Sequence, residues 1–518
     1  MLKLTLEPTD DRAKPIFKEA KECEQWLSKL QLTNIQLAHS LLLTEINEFN
    51  RFPLPGLERM HTLELLRETV HYVQDEYAKK LSAKPLPLND HELTIFFAIV
   101  QLWRAMSLGY QRCLQAQVAG DRQLAKHSAM LCQRAMNYGG LAIFRHLRTG
   151  YEVDGKLWRQ LHYLYAFAEA EELLSEKVAD PLNKAQPRST CHDTYLAILL
   201  TAHACPAELS RAQLKLLEGW LPQWISLLKL ERSYTASRGD APPLAFDLDG
   251  SLYGLQLGRM VKPGEPIRYL PMVPLSKLIR VKTILLQQGK TPKQVDLGEL
   301  GDSRECIALL TLLHRCWCED HDMRLAARNQ TSRNTLLCCN LESIYAQMTG
   351  RAPQQGSAIS KGAGENFRLE TWHIDNESIQ GAQLTRDPAA GGQLSRNQLV
   401  ALRHDATDKF VLAIAAWVKV IRTGQLRIGV RYLPGEVEAV TLTATGADKE
   451  ILPKAVPAFL LHVVPTINIP PSLIIPRPWF KPERMVEMLN KNGEKQNVKM
   501  GFSVEHGSDF ARVSFNAS

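Results

Sequence analysis

WHIDNESIQGAQL, residues 372–384, decides how the second half of the chain is read. It closes a period-two run (FRLETWHI, 367–374) with Asn376, Ser378 and Gly381, and another strand follows at once. Apolar and polar residues that alternate in this way mark half-buried strands. The same period extends outward from this stretch through TLLCC (335–339), QLVALR (398–403), FVLAIAAWVKV (410–420) and LRIGVRYL (426–433). Turn-forming runs such as DPAAGGQ and RTGQ separate them, and the even spacing predicts a small antiparallel β-barrel. The last 70 or so residues add strands at PAFLLHVV, PSLIIPRPWF, NVKMGFSV and FARVSF, with one short helix expected around Pro482–Leu489.

The first part of the chain has a different rhythm. Ile16, Ala20, Cys23, Leu27 and Leu30 step by four and three, as do Ile35, Leu42, Ile46 and Phe49. Leu124, Leu131, Ala135, Tyr138 and Ala142 make a third helical stripe, with Asp121 as its N-cap. Similar stripes run through 157–174 and 212–228, with short breaks that imply antiparallel neighbours. The spacing is too irregular for a tetratricopeptide array. The fold class expected is therefore α+β and multidomain. Residues 1–230 form an α-helical stack or bundle suited to partner contacts, and 231–322 mix a hairpin with two helices. Residues 323–445 form the small antiparallel barrel, and 446–518 a further β-rich segment, read as a divergent second barrel.

Composition sets the broad class. The chain has 518 residues, 45% hydrophobic and 23% charged, so several folded domains are expected. A net charge of +7 allows an anionic ligand without suggesting a nucleic-acid coat. The N-terminus turns acidic within ten residues and lacks the apolar segment of a secretory signal. The longest apolar run, 410–421, is broken by Lys419 and too short to span a membrane. Ten scattered cysteines without a CxxC pair suit free thiols in a reducing compartment. A cytoplasmic location is the expectation.

Three groups of residues invite a chemical reading. LAFDLDGSLYGL (244–255) opens as haloacid-dehalogenase-type phosphotransferases do, where the first aspartate, here Asp247, attacks phosphorus and the second, Asp249, protonates the leaving group. That chemistry requires a parallel sheet with a further acidic group. The tempting partner is Asp302, and the stretch before it is a poor buried strand. Apolar pieces on both sides instead favour a hairpin with Asp249-Gly250 at its turn. In HRCWCEDH (314–321), Cys316 and Cys318 are one residue apart, closer than zinc-ligand pairs normally are. On one helix they and His314 and His321 point in different directions. Buried thiols and a surface histidine fit better.

The third group is the most informative. RLAAR supplies Arg324 and Arg328 on the lead-in to the barrel, and Arg333 is a substitute if the lead-in is shifted. A guanidinium holds a phosphate or a guanine edge bidentately and stacks on a base. Asn376 and Ser378 offer small hydrogen-bonding groups at a strand end, and Gly381 allows close backbone approach. RxxxR followed by [D/N]xSxxG on a small barrel resembles the PilZ domain family, receptors for the bacterial second messenger cyclic di-GMP. The resemblance covers roughly residues 323–445. It implies that Arg324 and Arg328 clamp the guanines and phosphates, and that Asn376, Ser378 and Gly381 form the barrel-side wall. It further implies a signalling receptor rather than an enzyme, with no cofactor, that passes ligand binding to a protein partner through its helical region. A phosphatase built on Asp247 and a scaffold with a non-binding barrel are the alternatives.

Overall fold

The computed structural model describes residues 6–184, 186–235, 237, 239–252, 254–256, 264–319, 329–350, 369–404, 409–445, 455–465 and 468–517. The chain divides into two compact units, Met1–Ser82 with Asn89–Arg324, and Ala83–Leu88 with Leu325–Ser518.

The first unit is mainly helical. It contains α1 (Ala20–Leu27), α2 (Ile35–Arg51), α3 (Gly56–Ala78), α4 (Asp90–Val118), α5 (Ser128–Thr149) and α6 (Gly155–Ala170). A two-stranded ribbon, β1 (Val178–Ala179) with β2 (Arg188–Ser189), precedes α7 (Cys191–His203) and α8 (Arg211–Ile225). Side chains start several of these helices. Asn89 with Glu92, Thr190 with Asp193, and Ser210 with Gln213 form reciprocal capping boxes that satisfy otherwise orphaned first-turn amides. The expected stripe on α5 is fully buried at Leu131, Ala135, Tyr138 and Ala142. Asp121 caps a short 3-10 turn ahead of that helix, where its carboxylate accepts from the Gln123 amide. Ile16, expected on the first stripe, is 60% exposed because it lies before α1 begins.

Among the described residues, the helix long and apolar enough to cross a membrane is α4, and 61% of its most apolar window is buried. It packs against α2, α3 and α5, the place of a central helix in a bundle. The apolar run 410–420 considered from sequence is a barrel strand.

A buried ionic network crosses this bundle. Asp180, at the end of β1, accepts from Arg67 at 2.6 Å and from Arg134 at 2.8 Å. Glu64 takes a second bond from each arginine and one from the Tyr110 hydroxyl. Two guanidiniums leave water here only because two carboxylates accompany them.

The segment 231–322 does not stand apart. It holds β3 (Leu244–Asp247), β4 (Leu255–Gln256), β5 (Ile267–Leu270), α9 (Val273–Gln287) and α10 (Ser303–Cys318) within the same unit. The Trp317 indole on α10 donates to the Leu200 carbonyl on α7, and Trp220 on α8 donates to the Leu297 carbonyl. The three strands lie in the order β4-β3-β5 and pair antiparallel throughout.

The second unit contains two closed six-stranded barrels, both antiparallel in every pair the structure describes. The first comprises β6 (Asn329–Cys339), β7 (Glu370–Ser378), β8 (Gly381–Arg386), β9 (Leu399–His404), β10 (Phe410–Val420) and β11 (Leu426–Tyr432), in the order β10-β11-β8-β7-β6-β9. A short helix, α11 (Leu341–Thr349), follows β6. The second barrel comprises β12 (Val437–Ala444), β13 (Val456–Leu461), β14 (Ser472–Pro476), β15 (Met485–Leu489), β16 (Lys495–His506) and β17 (Phe510–Ala517), in the order β12-β13-β14-β17-β16-β15.

Two sequence expectations change here. Residues 437–444, expected in the first barrel, open the second, because Val440, Leu442 and Ala444 point into its core and pair with β13 and β15. The helix expected around Pro482–Leu489 is strand β15 from Met485 onward. There Val486 and Met488 are buried in alternation and the neighbours supply a ladder on both sides. Between the barrels lies a shared apolar cluster that includes Leu341, Ile344, Leu399, Leu412, Phe459 and Phe510. Burial of such a surface, worth roughly 25 cal/mol per Å², stabilises the contact between the barrels within their shared unit.

Candidate ligand site on the first barrel

The two aspartates of DLDGS come first, because they carry the rival chemistry. Asp247 ends β3, and its Oδ1 accepts from the Asp249 amide at 3.0 Å, a carboxylate used to shape its own turn. Leu244 and Ala245 pair with Gln256 and Leu255, so β3 and β4 are not joined by a two-residue Asp249-Gly250 turn. Gly254 makes the return with φ +129°, and a Cβ there would lie 2.4 Å from the Phe246 ring. His162 holds the loop from outside, its Nε2 donating to the Leu252 carbonyl at 2.6 Å while Nδ1 accepts from Tyr195. The sheet is antiparallel, and Asp302 is the N-cap of α10 in a capping box with Glu305. Nucleophile, parallel sheet and second acid do not come together.

The cysteines of HRCWCEDH are likewise structural. Cys316 and Cys318 are buried at the end of α10, and burial pushes the Cys318 thiol up to about 12. His314 bonds Ser276, Arg280 and Glu319. Among the described residues no group of histidine, cysteine and acidic side chains is arranged to hold a metal. His321 lies outside those residues.

On the first barrel, the NxSxxG residues form the β7–β8 hairpin. Ser378 pairs with Gly381, leaving Ile379 and Gln380 as the turn. The Ser378 hydroxyl donates to the Gly381 carbonyl at 3.2 Å and accepts from the Gln380 amide at 3.3 Å, so it closes the turn from within. Gly381 is required by space: a Cβ would stand 2.0 Å from the Val430 carbonyl on β11. Asn376 sits half-buried on β7, opposite Gln330 of β6 and Gln383 of β8. The register slips at Asp375, on both flanks of β7. Such a bulge re-aims a side chain without ending the sheet.

The bulge organises a polar face that the motif alone does not reveal. Asp375 Oδ2 accepts from Thr385 Oγ1 at 2.7 Å and Gln383 Nε2 at 2.9 Å, with Arg427 Nε at 3.5 Å. Beside it, Glu377 pairs with Arg333 and accepts from the Tyr432 hydroxyl at 2.5 Å. Burial, followed by that bond to a carboxylate, raises the Tyr432 phenol well above its ordinary value, so it stays a donor. Arg427 and Tyr432 were legible only as polar positions of the alternating run LRIGVRYL, whose Leu426, Ile428 and Val430 are buried. Their meeting with Asp375 and Glu377 depends on register.

Charge on this face is balanced. Arg333 is matched by Glu377, Arg427 by Asp375, and Arg431 by Glu505 of the second barrel. A ligand with two phosphates therefore needs positive charge from elsewhere. Arg324 and Arg328 are the sequence candidates for it, and both lie outside the described residues.

Comparison with known proteins places the two ends of the chain. A family model described as "Cyclic-di-GMP receptor FimW, N-terminal domain" matches residues 21–236, and one described as "FimW C-terminal beta-barrel domain" matches 441–518. The first match runs from α1 past the end of α8, and the second covers the second barrel from within β12 onward. A curated relative, "Cyclic-di-GMP receptor FimW" of Pseudomonas aeruginosa, is 21% identical over an alignment covering 96% of this chain and 90% of the relative. The first barrel, with its NxSxxG hairpin, lies between the two matched FimW domains.

Proposed function

We propose that this chain is a cyclic di-GMP receptor that acts by binding rather than catalysis. The observation that carries this reading is the NxSxxG hairpin, held in register on a closed six-stranded barrel that follows RxxxR, in a chain aligned nearly end to end with a FimW receptor. In this reading Arg324 and Arg328 supply the charge that the balanced barrel face lacks, clamping the guanines and phosphates, and Arg333 is freed from Glu377 when an anion competes. Asn376, Ser378 and Gly381 form the wall, and binding requires no metal or cofactor. The signal passes to a protein partner through the helical region, in the cytoplasm, because ordering the arginine lead-in alters the segment that joins the helical unit to the barrel.

Calorimetry with cyclic di-GMP on the full chain tests this reading. Micromolar or tighter binding, abolished in the Arg324→Ala, Arg328→Ala double variant, is expected. No heat at high protein concentration would leave the barrel as a scaffold element, and partner capture by residues 1–230 would then become the measurement of interest.

A further inference from the structure

In the helical unit, α5 and α8 both pack against α7 but barely against each other, and a groove of about 320 Å³ runs between them with α7 as its floor. Leu141, Phe144 and Leu147 of α5 form one wall, Leu217 and Leu221 of α8 the other, and Ile198 of α7 lies beneath. Leu141, Phe144, Leu147 and Ile198 are all only half-buried. The groove follows α5 from Asn137 to Leu147, about 15 Å at a rise of about 1.5 Å per residue. Its mean cross-section is then about 21 Å², room for one alkyl chain but not for the body of an α-helix.

One end of this groove is charged. Arg148 follows Phe144 by four residues and Leu141 by seven, so it extends the α5 wall by a turn. Arg211 precedes Leu214 by three residues and Glu218 by seven, and it extends the α8 wall in the same way. The two extensions meet, because Arg148 Nη1 donates to the Leu209 carbonyl just ahead of α8 at 2.9 Å. Burial lowers the Arg148 pKa, and the neighbouring Arg211 charge lowers it further. Arg145 and Lys215 lie nearby, with Asp75 and Glu218 as the carboxylates among them. The structure shows none of these four cations in a salt bridge among the described residues. The first turn of α8 adds the partial positive charge of a helix N-terminus.

We propose that this groove binds a single-chain anionic amphiphile, a medium-chain carboxylate, with its headgroup between Arg148 and Arg211 and its chain along Phe144, Leu141 and Leu221. A guanidinium holds a carboxylate through two parallel N–H bonds, and two guanidiniums that repel each other both gain from a shared anion. The apolar walls take up the chain, and a groove of about 15 Å matches an extended chain of about ten carbons. Glu218, on the groove and near Arg148, is the carboxylate that an incoming headgroup must outcompete.

The test is calorimetry on the full chain with hexanoate, octanoate, decanoate and the uncharged decanol. One decanoate per chain is expected, and each added CH₂ tightens binding by up to about fourfold. Decanol binds about tenfold or more weakly, as loss of a charge-assisted hydrogen bond implies. Arg211→Gln, at an exposed first-turn position, weakens decanoate by a similar factor and leaves decanol and the unliganded melting temperature unchanged. Ala197→Phe, which projects a ring from the groove floor, blocks both ligands, and Glu218→Gln tightens decanoate. Arg324→Ala with Arg328→Ala leaves decanoate binding intact, which separates this site from the barrel. The proposal is overturned if decanoate gives no heat at millimolar concentration, or if decanol binds as tightly as decanoate. Binding of several decanoates per chain that Ala197→Phe does not reduce would also overturn it, as that marks detergent-like adsorption.

Discussion

Asp509, in the turn between β16 and β17, accepts the backbone amide of Leu399 of the first barrel at 3.0 Å. Its neighbour Ser508 donates to the Asn397 carbonyl at 2.8 Å, so one turn of the second barrel hooks the start of β9. Burial pushes the Asp509 carboxyl up from 3.8 to about 6. A carboxyl whose native pKa is raised binds protons in the native state that the unfolded chain has already lost. Stability from this group is therefore full below about pH 4 and is lost as pH rises to about 6. Chemical denaturation should show the β-barrel unit more stable at pH 4 than at pH 6 by this contribution. Asp509→Asn keeps the acceptor and should remove the difference.

The helical unit should respond to acid with the opposite sign. Burial lowers His39, His71 and His146 from 6.5 to about 4. The unfolded chain binds those protons first, so stability falls as pH drops from about 6.5 towards 4. Hydrogen exchange measured on α2, α3 and α5 should quicken as pH falls through this window. His39→Gln, which preserves a polar partner for Gln74 (now 3.1 Å from His39 Nε2), should reduce the slope.

Removal of the Asp180 carboxylate should be severe. Asp180→Ala would strand the Arg67 and Arg134 guanidiniums, both almost completely buried, with only Glu64 to share. An uncompensated buried charge costs about 3–5 kcal/mol. Chemical denaturation should show a loss of this size in the helical unit. Arg67→Met together with Arg134→Met and Asp180→Ala should recover much of it.

Gly381→Ala tests the hairpin that carries the barrel site. The added methyl would meet the Val430 carbonyl at 2.0 Å, so β8 and β11 must part where Gly381 pairs with Arg431. Overpacking of this kind costs about 1–3 kcal/mol or more. Reduced thermal stability and loss of cyclic di-GMP binding are expected together, whereas Ile379→Ala in the same turn, at a residue 88% exposed, should change neither.

Period alone separated the helical stretch from the strand-rich stretch, because burial on one face imposes a spacing of 3.6 or 2 wherever it occurs. It was least reliable where a segment was short. The Pro482–Leu489 stretch has too few residues to show its period, and β12 and β16 decide its form from both sides. The hairpin of Asn376, Ser378 and Gly381 could be read from local turn chemistry. The ion pairs of Arg333 and Arg427 could not, since a one-residue slip in register would send those side chains to the other face.

The amino-acid pattern by itself determined that this protein is helical first and β second, and that a glycine-ended hairpin follows an arginine pair. These features depend on contacts within a few residues. Only the tertiary structure decided that the strands close into two barrels, that Asp247 stands in an antiparallel sheet, and that Phe144 and Leu221 line one groove. Those outcomes depend on which distant segments pair, and pairing is set by the burial of whole faces rather than by local preference.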